Sequence, residues 1–172
     1  MSALKYYAVE RATYGDMGAV TEKQAIKAIK AVCSQNNVRP VDFTINKKAE
    51  EWSWYFAGAG MIGPKRTLSP PLSIPTISMA PAMMVWACVC HELAHHLDYC
   101  FFDAKTKAFA WKSGVDVTNR LELGRWMMRC VVPRRTHGKD HKRIMRETVE
   151  FLWKENFIKV PPNYKFKGLL DR

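Results

Sequence analysis

The stretch Val85–Phe101, "VWACVCHELAHHLDYCF", places two histidines and a glutamate at the end of an apolar run. From about Ala82 to Tyr99 the chain is apolar nearly all round until His91, which predicts a helix buried on most of its faces. Proline is tolerated at the first turn of a helix, so Pro81 suits its start. Because burying polar groups without partners is costly, we expect the polar residues of this central helix to serve a chemical purpose.

The residues His91, Glu92 and His95 form the pattern H-E-x-x-H. Side chains four residues apart lie on one face of a helix, so both imidazoles can bind one ion at about 2.0–2.1 Å. Glu92 then lies beside the ion, where it can take a proton from an activated water. The pattern predicts a hydrolytic zinc site. His96, five residues after His91, points away from the pair and is predicted to be a supporting or surface group.

A catalytic zinc site normally has three protein ligands and one open position. The remaining histidines, His137 and His141, lie four residues apart in "RTHGKDHKRIM". Two acids further along, Glu147 and Glu150, are the rival candidates. Spacing alone leaves the third ligand open, and we favour His137.

Two further helices are predicted on either side of the central one. Thr21 and Gln24 have the spacing of a capping box and open an amphipathic helix that ends near Asn36. The apolar stripe after "THGKD" predicts a last helix from about Lys139 to Asn156. A short helix is also expected within "VTNRLELGRWMMRCVV", residues 117–132.

Three short strands are predicted between the first helix and the central one. Val41, Phe43 and Ile45 alternate with polar residues in "RPVDFTI", as in a half-buried strand. The segments "WSWYFAG" and "LSIPTISM" combine β-branched and aromatic residues between glycines and prolines. Helices around a small sheet predict the α+β class.

Length and composition predict one compact domain. The chain has 172 residues, 48% of them hydrophobic, which suits a single core over residues 1–160 followed by a basic extension over residues 161–172. Its five cysteines include no C-x-x-C pair, which indicates reduced thiols in a cytoplasm-like compartment. With no secretory signal and no span long enough for a bilayer, we expect a soluble cytoplasmic protein.

The positive charge is concentrated after the H-E-x-x-H motif. Residues 101–150 carry +6 of the net charge of +11. A solvated surface is one interpretation, and a surface for DNA or another polyanion is the other. Trp111 and Trp126 are candidates for stacking on unpaired bases, although core packing is the more common role of tryptophan. The basic side chains nearest the expected third ligand are Arg125, Arg129, Arg134, Arg135, Lys139, Lys142, Arg143 and Arg146.

The motif and its surroundings resemble the SprT-like zinc metallopeptidases, whose relatives include the Spartan-type DNA–protein crosslink proteases. The resemblance covers about Val41–Leu152 and rests on "HELAHH", the strand-like "IPTISMAP" before it and "HGKDHKRIM" after it. It implies a zincin-like domain with a small sheet packed on the central helix. It also implies His91, His95 and His137 as zinc ligands and Glu92 as the catalytic base. In this family an aromatic residue usually stands where this chain has His141.

The resemblance implies a zinc-dependent endopeptidase that acts on proteins, including proteins at or near DNA. One alternative is an intracellular regulatory protease with an acidic third ligand. Another is a basic nucleic-acid-binding module in which a structural zinc is closed by four protein ligands.

Overall fold

Three long helices and a three-stranded sheet form most of the regular structure of the described residues, which confirms the α+β class. The computed structural model describes Tyr14 and residues 17–49, 53–56, 75–119, 122–123, 125–126 and 137–159, apart from the side chain of Asp103. The predicted domain boundary at residue 160 lies outside this part. In chain order the elements are α1 (Glu22–Gln35), β1 (Asp42–Ile45), β2 (Ser53–Phe56), β3 (Thr76–Met79), a 3-10 turn (Pro81–Met83), α2 (Trp86–Lys112) and α3 (Lys139–Lys154).

Helix α1 begins at the predicted capping box. The Gln24 amide donates to Thr21 Oγ1 at 3.3 Å, and the Thr21 amide donates to Gln24 Oε1 at 2.9 Å. Two amides at the start of the helix are thereby satisfied. The apolar face, which includes Ile29 and Val32, is buried in the core.

The sheet has the order β1-β3-β2, so β3 is its central strand. Strand β1 pairs with β3 in parallel, and β2 pairs with β3 in the antiparallel sense. Ile77 and Met79 of β3 are fully buried. On β2 the exposed Trp54 alternates with the half-buried Ser53 and Tyr55. All three predicted strands are therefore confirmed.

Helix α2 begins later than the sequence predicts. Pro81 opens a 3-10 turn instead of the α-helix, and Val85 is extended (φ −128°, ψ 150°). A β-bridge joins Val85 to Ala19, so the chain there is held by a partner that sequence periodicity cannot reveal. The predicted start at Ala82 is therefore wrong by one turn.

Helix α2 also continues well beyond the predicted end at Tyr99. It runs to Lys112 and stops at Ser113 and Gly114, where the glycine has φ +76°. No proline or glycine interrupts residues 99–112, so the helix continues until a residue that tolerates the left-handed conformation.

The core lies where α2, α1, α3 and the sheet meet. Leu93 and Leu97 of α2 join one buried cluster with Ile144 and Val149 of α3. Helix α3 begins at the predicted Lys139 and ends at Lys154, two residues before the predicted Asn156. Within the predicted short helix the described residues Glu122, Leu123, Arg125 and Trp126 are helical.

Among the described residues, no helix combines the length and the apolar character that crossing a bilayer requires.

Candidate metal centre

The two motif histidines meet on the buried face of α2. His91 is 1% exposed, and its Nε2 atom lies 3.0 Å from His95 Nε2. Their rings are nearly perpendicular, at 86°. The one-turn spacing therefore brings both imidazole nitrogens to one point, as the motif predicts.

Both remaining candidate histidines reach the same point from the start of α3. His137 precedes the helix, because Gly138 is its N-cap residue, and His137 Nε2 lies 3.3 Å from His91 Nε2. His141, in the first turn, is fully buried, and its ring centroid lies 4.1 Å from that of His95. One ligand atom from each of the four histidines lies within 4.8 Å of the others.

The separations between nitrogens fit a shared metal ion. Nitrogens bound at about 2.0–2.1 Å to a tetrahedral ion lie about 3.3–3.4 Å apart. The distances from His91 Nε2 to the other two Nε2 atoms, 3.0 Å to His95 and 3.3 Å to His137, are close to that value. One imidazole nitrogen carries either a proton or a lone pair, so it cannot make ideal hydrogen bonds with two other nitrogens at once. A cation bound between them would accept a lone pair from all three nitrogens.

The burial of the cluster favours neutral imidazoles, which are the form that binds metals. Burial, followed by the nearby His141, His91 and His137, lowers the pKa of His95 far below its usual value. Burial and then His91 lower the pKa of His137 to about 4. The four histidines could therefore hold a metal ion at neutral pH. An all-imidazole donor set suits zinc, copper, nickel or iron better than magnesium or calcium.

Glu92, the residue after His91 on α2, is bonded to the sheet. Its side chain is 2% exposed, and Ser53 Oγ on β2 donates to Glu92 Oε1 at 2.7 Å. Sequence reasoning did not identify Ser53. The alternation of "WSWYF" predicts which residues of the strand face inward, but not which part of the helix they face.

His96 lies outside the four-histidine cluster and is fully buried, so the prediction that it could be a surface group is wrong. Its Nε2 lies 2.9 Å from the Arg39 carbonyl oxygen, and its Nδ1 lies 3.1 Å from the Tyr55 hydroxyl. A carbonyl only accepts, so Nε2 carries the proton and the hydroxyl donates to Nδ1. Burial lowers the pKa of His96 and keeps this tautomer neutral.

The acidic candidates for the third ligand do not join the cluster. Glu147 is exposed, and Arg143 Nη1 donates to both oxygens of its carboxylate at 2.9 Å. Among the described residues, the group of side chains that could hold a metal ion contains neither Glu147 nor Glu150. This placement disfavours an acidic ligand from α3.

The described side chains of the basic region are exposed or half-buried. Arg125, Lys139 and Arg143 are exposed, whereas Arg129, Arg134 and Arg135 lie outside the described residues. Lys142 and Arg146 are half-buried. Trp111 is 69% exposed instead of buried in the core. Trp126 is half-buried and packs against Phe109 at 5.5 Å between ring centroids.

Comparison of the chain with known protein families, with curated proteins and with solved structures finds no match. The SprT-like assignment therefore stays a prediction that rests on the motifs.

Proposed function

We propose that the protein is a zinc-dependent endopeptidase with a zincin-like active site. The observation that carries the proposal is the convergence of His91, His95 and His137 on one point, with Glu92 held beside it. This is the donor set of a catalytic zinc site with three protein ligands. The spacing of the two motif histidines and the fit of the nitrogen separations support zinc as the ion.

In this mechanism His91, His95 and His137 would hold zinc through neutral imidazole nitrogens. When bound, zinc lowers the pKa of a coordinated water to about 7 and polarises a carbonyl. Glu92 accepts the proton of the attacking water and then delivers it to the leaving amine. The buried position of Glu92 keeps its carboxylate away from bulk solvent, and its place directly after His91 in the helix puts it next to a zinc ligand.

We further propose that the substrates are proteins held at or near DNA. Lys139 and Arg143 are exposed on α3, the helix that also carries His141. Cations there would hold a phosphate backbone next to the active site through contacts that are sensitive to salt and largely independent of sequence.

The deciding experiment combines metal analysis with a cleavage assay. Purified protein should contain one zinc per chain and should cleave a basic DNA-binding protein, faster when single-stranded DNA is present. Glu92→Gln should keep the zinc and reduce the cleavage rate roughly 10²- to 10⁴-fold, the usual contribution of acid–base catalysis.

The matched control is Glu147→Gln, the same chemical change at an exposed position on α3. It should keep the zinc and the cleavage rate measured without DNA, because the contact that it loses, with Arg143, belongs to the proposed DNA surface. Loss of zinc in this variant alone would support the alternative with an acidic ligand. Cleavage at the wild-type rate by Glu92→Gln would contradict the assigned role of Glu92.

A second candidate function is favoured by the position of His141. Because it lies within the same cluster, four histidines could close the coordination sphere, as in structural zinc sites. The protein would then be a nucleic-acid-binding module that cuts nothing. X-ray absorption on the zinc protein distinguishes the two, because four imidazoles and no water would support the closed site.

A further inference from the structure

Strand β2 presents two inward hydroxyl groups to α2. Ser53 Oγ donates to Glu92 Oε1 at 2.7 Å, and the Tyr55 hydroxyl lies 3.1 Å from His96 Nδ1. The two contacts are separated by two residues on the strand and by four on the helix. Two residues of a strand span about 6.6 Å, and four residues of a helix span about 6.0 Å. The spacings match, so β2 can run along α2 with both contacts formed at once.

The second contact holds the first in place. His96 is fully buried and also bonds through Nε2 to the Arg39 carbonyl oxygen at 2.9 Å. Tyr55 is thereby attached to a side chain that itself has a fixed orientation. Because Ser53 lies two residues before Tyr55 on the same face of β2, its hydroxyl is directed at the Glu92 carboxylate.

We infer that Ser53 is a positioning residue for the general base, its hydroxyl holding the Glu92 carboxylate in the orientation that accepts a proton. This inference rests on the proposed hydrolytic function for its effect on rate, but not for its effect on structure. A carboxylate has two oxygens and several rotamers, and a donor at 2.7 Å from one oxygen selects among them. The second carboxylate oxygen then has the same position in every molecule.

The kinetic test compares Ser53→Ala, Ser53→Thr and a matched control in the zinc-loaded full chain. For Ser53→Ala we expect kcat to fall roughly 10- to 100-fold with KM nearly unchanged, because the hydrogen bond to a charged group is lost while substrate binding is not. Zinc content should stay at the wild-type level. Ser53→Thr restores the hydroxyl in a residue that strands favour and should recover most of kcat.

The control is Ser78→Ala on the neighbouring strand. Ser78 pairs in register with Trp54, whose side chain is exposed, so it lies on the face of the sheet opposite to Ser53. The same loss of a hydroxyl there should leave kcat within about twofold. An equal loss in both alanine variants would point to general damage to the sheet and would overturn the inference.

Crystal structures of the zinc-loaded wild type and Ser53→Ala provide a readout that does not depend on activity. The Glu92 carboxylate should leave its position or occupy several rotamers when Ser53 is alanine. The inference is overturned if Glu92 keeps one unchanged position, if zinc is lost, or if Ser53→Thr is as defective as Ser53→Ala. If the wild type itself cleaves nothing, the proposed function fails, while these structures still decide whether Ser53 positions Glu92.

Discussion

At the scale of single residues, the cluster depends on which nitrogen atoms reach the shared point. His137 Nε2 approaches His91 Nε2 at 3.3 Å from outside the helix. His141 belongs to the first turn of α3, and its ring centroid lies 4.1 Å from that of His95. The two side chains differ in burial, since His141 is fully buried and His137 is half-buried. Burial does not separate their roles, because the motif histidine His91 is itself only 1% exposed, so ligation by His137 and packing by His141 stay a prediction.

Substituting each of these two histidines by phenylalanine tests that prediction. Both changes keep an aromatic ring and remove the nitrogens. His137→Phe should weaken zinc binding by more than the roughly 10- to 100-fold that follows loss of a residue supporting a ligand, and should abolish cleavage. His141→Phe should keep zinc and activity. The measurement is zinc affinity by competition with a chromophoric chelator, and equal losses in both variants would favour the closed four-histidine site.

The buried histidines also determine how the metal-free protein responds to acid. The pKa values of His95, His96 and His137 are all lowered in the folded chain. The ordinary pKa of a histidine is about 6.5. At pH values between the lowered pKa and this ordinary one, the unfolded chain therefore binds more protons than the folded one. The free energy of unfolding should fall as the pH decreases from 6.5, by about 1 kcal/mol per pH unit or more. Urea titrations from pH 7 to pH 5 test this, and a constant stability over that range would contradict it.

At the scale of elements, β2 and α2 are joined by polar contacts as well as by packing. Tyr55 bonds to His96, and the same ring packs edge-on against the imidazole at 5.4 Å between centroids. Tyr99, one turn after His95 on α2, lies 6.4 Å from Tyr55 and carries the Arg39 guanidinium over its ring at 5.5 Å. The strand that positions Glu92 is thus anchored at a second point.

Removing the Tyr55 hydroxyl measures how much its hydrogen bond to His96 contributes to the free energy of unfolding. Tyr55→Phe keeps the ring and leaves a buried imidazole nitrogen without its donor, so the free energy of unfolding should fall by about 1–3 kcal/mol. Tyr99→Phe makes the same change on a half-buried neighbour and leaves the buried His96 nitrogen with its donor, so it should cost less. Chemical denaturation of both variants gives the comparison. An equal effect of the two substitutions would show that the Tyr55–His96 bond stabilises the fold no more than the Tyr99 hydroxyl does.

At the scale of the whole molecule, the cluster joins two helices that are distant in the sequence. Helix α2 supplies His91 and His95, and the start of α3 supplies His137 and His141. These helices also pack through a shared apolar core, which includes Leu97 and Ile144. A metal ion would therefore reinforce a contact that the core already forms, rather than create it.

This arrangement predicts how the protein responds to chelation. A ligand that binds the folded state alone stabilises it by about 2.7 kcal/mol when its free concentration is 100 times Kd. Removing zinc should lower Tm by several degrees, roughly 2–4 °C per kcal/mol for a domain of this size. Far-UV circular dichroism should keep its helical signal below the new Tm. Complete unfolding on chelation at 25 °C would contradict the view that the core is sufficient for the fold.

Several features follow from local sequence alone because their physical cause is local. The capping box of Thr21 and Gln24 opens α1, and the apolar stripe places α3 at Lys139. Alternating residues predict the strands. The H-E-x-x-H spacing alone places His91 and His95 on one helical face, since four residues make about one turn.

Other features were decided by tertiary structure because they depend on partners far away in the chain. Helix α2 begins at Trp86 because the extended Val85 pairs with Ala19. Spacing could not choose between His137 and His141, and the fold brings both to the cluster because the turn before α3 lies against α2. The hydroxyl that holds Glu92 comes from Ser53, 39 residues earlier, and a two-residue strand period says only that it faces inward. Periodicity sets the direction of a side chain relative to its own element, while the packing of elements sets what that side chain meets.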